Sequence, residues 1–209
     1  MAIDKDAYLV NTERLRIRKL SKKFWKEVSE VTALTVLRLY SCDNLPEFLH
    51  KIRELDQLEL LAFSSVEFGE RVEDLIIPDG VREIEISSVT CEDWNQFPTS
   101  PAVKSLKIKR MTIDDTIALI PKFVGLEIIS VRAFEDEELE QLTVVLAGLG
   151  KLQNITLQLD GATEEAIERL MASLSYREAI LNLQYQGPVA DDAIKWCAAE
   201  NGVKLQFEI

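Results

Sequence analysis

The sequence predicts an α/β fold in which short parallel strands alternate with helices along a solenoid. Three stretches share the frame apolar-x-x-apolar-x-apolar and read LTVLRLYSC, VKSLKIKRM and LQNITLQLD. The frame recurs nine times, at intervals of 22 to 26 residues. Each interval has room for a strand of about five residues and, in most repeats, a helix of about ten. Strands joined by crossover helices lie parallel, and a fixed period of this length is typical of solenoid proteins.

The fourth and sixth positions of the frame are apolar in all nine repeats and form the predicted core. Side chains alternate along a strand, so two apolar residues at this spacing share one face. The fourth positions are Leu15, Leu37, Leu61, Ile84, Leu106, Ile129, Ile155, Leu181 and Leu205. The sixth positions are Ile17, Leu39, Phe63, Ile86, Ile108, Val131, Leu157, Leu183 and Phe207.

This pattern resembles the leucine-rich repeat family over residues 12–209, in the irregular form of ribonuclease-inhibitor-like and F-box-type repeats. The resemblance implies a horseshoe-shaped leucine-rich-repeat solenoid with a parallel β-sheet on the concave face and helices on the convex face. The family signature places Asn or Cys at the ninth position, and here only Cys42 matches it. The asparagine ladder of the family is absent, and we expect an apolar column in its place. The ninth positions are Leu20, Cys42, Val66, Val89, Met111, Phe134, Asp160 and Gln186.

The repeats extend through a single predicted domain, residues 1–209. Residues 1–13 form an N-terminal cap, in which Ala7–Val10 are predicted to add a short strand, and nine strand–helix repeats follow from about residue 12 to 209. The last strand, VKLQFEI, would present unpaired N–H and C=O groups at the sheet edge. We therefore expect this C-terminal edge to be covered by a partner or a second subunit.

The segments between strands supply the helices. Capping residues, first-turn acids and helically spaced apolar residues predict them in this order: Ser21–Val31, Asn44–Leu55, Glu137–Leu149, Thr163–Leu174 and Asp191–Glu200. The third and fourth repeats instead contain several Gly and Pro residues, which predict short or 3₁₀ turns. Trp25 and Trp196 fall in predicted helices and are expected to pack them on the sheet.

Composition excludes several classes of function. The chain has 209 residues, 47 % of them hydrophobic, and a net charge of −12, which argues against coating of nucleic acid. No apolar run reaches the ~18 residues of a membrane span. An N-terminus without an apolar signal and an odd number of cysteines predict a cytoplasmic or nuclear protein. The single histidine, His50, has no catalytic or metal-binding pattern around it, so we predict no enzyme activity, no metal and no cofactor.

The predicted inner strand face carries the functional signal. Positions three, five, seven and eight of the repeats hold ten basic and three acidic residues, whereas the remainder of the chain has a net charge of −19. A cleft of one sign concentrates potential and captures the opposite charge. We therefore predict that a partner protein binds through an acidic segment here. The predicted contact residues are Arg16, Arg18, Arg38, Tyr40, Lys107, Lys109, Arg110 and Arg132.

The function predicted from these observations is a non-enzymatic protein–protein interaction module, or scaffold, within a larger complex. Large sheet surfaces of solenoids commonly serve binding. Two alternatives remain open at this point. One is the substrate-receptor part of an F-box-like ubiquitin-ligase adaptor, and the other is an RNA-binding module that uses the arginine clusters. Few aromatic residues on the inner strands weigh against RNA.

Overall fold

The structure is a computed structural model that describes residues 7–11, 14–17, 34–42, 45, 49–133, 135–175, 179–187 and 189–207. The chain divides into two compact units, Met1–Met111 and Thr112–Ile209. Both units combine a sheet of parallel strands with helical segments, so the α/β class is correct.

The first unit contains six strands among the described residues. They are β1 (Ala7–Asn11), β2 (Arg14–Ile17), β3 (Val36–Tyr40), β4 (Leu60–Ser64), β5 (Glu83–Ser87) and β6 (Ser105–Lys109). The strands follow one another in sequence order, with β1 antiparallel to β2 and every later pair parallel. The strand expected within the N-terminal cap is therefore present, as β1.

Short 3₁₀ helices connect the later strands of this unit: Leu49–Glu54, Gly69–Asp74 and Trp94–Gln96. The short turns predicted for the third and fourth repeats are confirmed. Aromatic rings fill the space that longer helices would occupy, with Phe68 at the centre of the cluster. Its ring centroid lies 4.9 Å from that of Phe63, 6.1 Å from that of Trp94 and 5.8 Å from that of Phe97.

The second unit alternates strands with regular helices. Its helices are α1 (Ile113–Leu119), α2 (Asp136–Gly148), α3 (Glu164–Leu174) and α4 (Asp191–Glu200). Its strands are β7 (Ile128–Ala133), β8 (Asn154–Asp160), β9 (Ile180–Gln186) and β10 (Lys204–Phe207), which pair in this order and in parallel. A 3₁₀ turn, Ile120–Lys122, follows α1.

The predicted helices fare differently in the two units. The last three match α2, α3 and α4 within one residue at either end. The Asn44–Leu55 prediction is wrong in its described part, where the backbone forms the 3₁₀ helix Leu49–Glu54. The prediction for Ser21–Val31, including Trp25, lies outside the described residues. Trp196 is 60 % exposed on α4, so the expectation that it packs the helix on the sheet is wrong.

The repeat frame defines the core. In every strand from β3 to β9, the fourth and sixth frame residues are at most 3 % exposed. The register explains the regularity, because equal frame positions lie opposite one another: Leu37, Leu61, Ile84 and Leu106 form one continuous row across β3 to β6. Burial of leucine-sized side chains of this kind contributes about 1.5–3 kcal/mol each.

The eighth frame position behaves differently from the sequence prediction. After β3 to β6 this residue adopts a left-handed backbone, with φ of 49° at Ser41, 52° at Ser65, 51° at Ser88 and 54° at Arg110. The turn breaks the strand alternation and directs the ninth residues into the core, where Cys42, Val66 and Val89 are 1 %, 5 % and 3 % exposed. The expected apolar column is therefore present in these repeats.

In the second unit, β7 to β9 run one or two residues longer, and the eighth position stays in the strand. Ala133 and Leu159 occupy that position and are 2 % and 0 % exposed. The assignment of position eight to the binding face is therefore wrong here. After β8 the left-handed turn comes two residues later, at Gly161, with a φ of 83°.

Candidate functional site

The candidate site lies on the face of β3 to β6 that points away from the core, which we call the polar face. Two rows of side chains cross it, because the register places equal frame positions side by side. The Arg38 row consists of Arg38, Ala62, Glu85 and Lys107. The Tyr40 row, two residues further along each strand, consists of Tyr40, Ser64, Ser87 and Lys109.

An ion pair spans the Arg38 row. The guanidinium of Arg38 on β3 donates to the carboxylate of Glu85 on β5, two strands away. Neighbouring strands lie about 4.8 Å apart, so the two side chains together bridge roughly 10 Å above β4. The β4 residue beneath it is Ala62, whose methyl group leaves room for the crossing. Ala62 is only 5 % exposed although it lies on the outward face.

Lys107 continues the network from β6. Its ammonium lies 2.5 Å from a Glu83 carboxylate oxygen and 3.5 Å from a Glu85 carboxylate oxygen. Glu85 is therefore shared between Arg38 and Lys107. Each pair is partly exposed, and ion pairs in that setting contribute about 0–1 kcal/mol to stability.

The network fixes the charges of its members. Burial alone would raise the pKa of Glu85, but Arg38 and then Lys107 outweigh it and lower the pKa from its ordinary value of 4.5. The hydrogen bond to Glu83 leads the causes that raise the pKa of Lys107. Glu85 therefore stays a carboxylate and Lys107 an ammonium at neutral pH. Two of the predicted contact residues, Arg38 and Lys107, are thus each paired with neighbouring carboxylates.

Lys109 differs from these two cations. Its side chain is exposed at the end of β6, and among the described residues it makes neither an ion pair nor a side-chain hydrogen bond. The hydroxyl groups of Ser64 and Ser87, which are half-buried beside it in the Tyr40 row, also have no hydrogen-bond partner in the described part of the chain. Arg110, which follows Lys109, is exposed at its left-handed turn.

A depression of about 240 Å³ lies over the two rows, and all eight row residues line it. Arg38 and Tyr40 form one wall, and Lys107 and Lys109 form the opposite wall, three strands away. The small side chains of Ala62, Ser64 and Ser87 form the floor. Three cations and one carboxylate line this pocket, and Glu83 pairs with Lys107 beside them, so the local formal charge is +1 although the whole chain carries −12.

The structure thus brings together four of the predicted contact residues in one pocket: Arg38, Tyr40, Lys107 and Lys109. Arg16 lies opposite Arg38 in the register of β2 and β3. Arg18 lies outside the described residues. Arg132 belongs to the second unit, where its Nε donates to the Asp160 carboxylate over 2.8 Å.

No protein-family model and no curated protein matches the chain. In the part of the chain that the structure describes, no helix is long and apolar enough to cross a membrane. The same residues contain no group of three or more His, Cys, Asp or Glu side chains placed to hold a metal ion.

Proposed function

We propose that the chain is a leucine-rich-repeat solenoid of irregular type. Three features support the proposal: the repeat frame at intervals of 22 to 26 residues, the in-register pairing of equal frame positions, and the buried ninth position. In this reading the polar face belongs to the concave side of the horseshoe. Buried Cys42, Val66 and Val89 replace the asparagine ladder of the regular repeats.

We further propose that the protein is a non-enzymatic interaction module, which binds an acidic segment of another protein on the polar face within a larger complex. The observation that carries this proposal is the pocket of net positive charge, with Lys109 exposed on its wall, on a chain of charge −12. Positive potential confined to one concave spot attracts an acidic segment, while the acidic remainder repels nonspecific polyanions.

The pocket geometry suits an extended segment. The walls on β3 and β6 are three strand spacings apart, or roughly 14 Å. Because the Arg38–Glu85 pair crosses the Arg38 row, an extended segment would lie over the serines of the Tyr40 row. Lys109 supplies a cation that, among the described residues, has no ion pair for a ligand to displace. Tyr40 supplies an aromatic surface with a polar hydroxyl at its end. Glu83 and Glu85 disfavour a uniformly acidic ligand, so a single acidic residue flanked by neutral ones fits better.

Selection from a displayed random-peptide library tests the proposal. We expect the wild-type protein to enrich peptides that carry one acidic residue among neutral or aromatic ones. Lys109→Glu should lose this enrichment, because it reverses the charge of the wall residue that has no ion-pair partner in the described part of the chain. Lys151→Glu is the matched control, since Lys151 is exposed in the second unit and undergoes the same charge change. Equal enrichment by all three proteins would refute the site, and preferential retention of single-stranded RNA over peptides would refute the partner class.

A further inference from the structure

Charge alone does not choose between the acidic groups that could enter the pocket. Three cations and one carboxylate line it, and Glu83 pairs with Lys107 beside them, so the local formal charge is +1. A carboxylate brings one negative charge, and a phosphate monoester brings about −1.5 to −2 at neutral pH. The depression of about 240 Å³ has room for a phosphate group, so the choice depends on the hydrogen-bond donors.

The donors around the pocket also match a phosphate. Lys109 has an ammonium without a partner, and Ser64 and Ser87 have hydroxyl groups without partners, within the described residues. A phosphate group has three strong acceptor oxygens that such donors can satisfy, whereas a carboxylate has two.

The shared carboxylate allows Arg38 to join these donors. Glu85 accepts from both Arg38 and Lys107, so Arg38 can turn away without leaving Glu85 unpaired. The side chains of Arg38 and Glu85 are 31 % and 24 % exposed, which keeps the desolvation cost of the exchange small. A guanidinium binds phosphate oxygens in bidentate geometry, a stronger interaction than its single bond to Glu85.

We infer that the pocket recognises a phosphorylated side chain of the partner protein, with Lys109 and the two serine hydroxyls binding the phosphate and Arg38 transferring to it from Glu85. This inference rests on the proposed function and specifies the group that the acidic segment presents. Lys107 stays paired with Glu83 and Glu85.

Three matched small probes test it without knowledge of the partner: capped phosphoserine, capped glutamate and capped serine. We expect phosphoserine to shift the backbone amide resonances of Ser64 and Ser87 and to bind at least about tenfold more tightly than glutamate, a difference of about 1.4 kcal/mol. Capped serine should give no shift. Affinity for phosphoserine should rise as pH increases through about 6, where the second proton leaves the phosphate.

Variants assign the effect to the pocket. Lys109→Glu should weaken phosphoserine binding by at least about tenfold, and Lys151→Glu should leave it unchanged. Glu85→Gln should strengthen binding, because it raises the lining charge and releases Arg38; a merely structural role for Glu85 would not produce a gain. Equal binding of phosphoserine and glutamate, or phosphoserine binding that survives Lys109→Glu, would overturn the inference. If capped glutamate binds as tightly as capped phosphoserine and Lys109→Glu abolishes the binding of both, the inference fails while the proposed interaction site stands.

Discussion

Replacement of Leu106 by Ala tests the repeat frame quantitatively. Leu106 occupies the fourth frame position of β6 and is 0 % exposed. The substitution removes three buried carbons, worth about 2.4 kcal/mol at ~0.8 kcal/mol each, and leaves a cavity that costs more because the neighbouring strands hold their register. We expect a total loss of about 3–4 kcal/mol in the free energy of unfolding, within the range of buried Leu-to-Ala changes.

Urea unfolding, followed by circular dichroism, measures the loss directly, and thermal unfolding should show a decrease in Tm of roughly 6–16 °C for a chain of this length. Leu205→Ala is the control, because it makes the same change at the same frame position of β10, where the side chain is only half-buried. A loss at Leu106 that equals the loss at Leu205, or falls below about 1 kcal/mol, would refute the assignment of the fourth position to the core.

Two further predictions concern loops and helix starts. Gly80→Ala should destabilise the protein, because a Cβ there would lie 2.9 Å from the backbone oxygen of Leu58, whereas Gly150→Ala meets nothing within 4 Å and should be neutral or stabilising in the same melting assay. Asp136 accepts hydrogen bonds from the backbone N–H and the hydroxyl of Thr163, the residue that caps α3, and these bonds lower the pKa of Asp136 from its ordinary value of 3.8. The stability that they contribute is therefore present above about pH 3.8 and lost as pH falls through the lower pKa of the folded protein, and Asp136→Asn should flatten the acid limb of the stability profile without changing its alkaline limb.

The core and the later helices could be predicted from the sequence because local and global signals agree there. Thr163 begins the sequence T-E-E-A, which is close to a capping box, and its hydroxyl accepts from the Ala166 N–H as that pattern implies; the apolar stripe of α3 is buried. The Asn44–Leu55 prediction failed in its described part because the same local signals occur in a segment where the backbone follows a tighter 3₁₀ path. Trp196 was misplaced because helical periodicity does not distinguish an exposed flank from the buried stripe.

The turn at position eight was missed because three of its residues are serines. In a sequence, glycine and asparagine are the residues that predict left-handed backbone, and Ser41, Ser65 and Ser88 do not predict it. Their N–H groups donate to the carbonyls of Ser64, Ser87 and Lys109 at 2.9–3.0 Å, so inter-strand hydrogen bonds maintain the conformation. Hydrogen bonds to the neighbouring repeat stabilise this turn, so the sequence of one repeat does not predict it.

Four of the predicted site residues came together because the frame sets the register. The pairing of Arg38 with Glu85 could have been predicted from the sequence, because both occupy position five of their strands and the strand between them has only Ala62 at that position. A sum of charges over all strands does not show which charges lie next to each other. Arg38 and Lys107 have ion-pair partners, whereas Lys109 has none among the residues that the structure describes. This distinction depends on side-chain reach and could not be predicted from the sequence.

Association kinetics give the most direct test of the central claim, that an acidic partner segment binds on the polar face. An acidic peptide from the library selection is mixed with wild-type protein, Lys109→Glu and Lys151→Glu over a range of salt concentrations. We predict that Lys109→Glu alone slows association and flattens its salt dependence, because electrostatic steering depends on the cation at the pocket. Association rates that coincide for all three proteins at every salt concentration would contradict it.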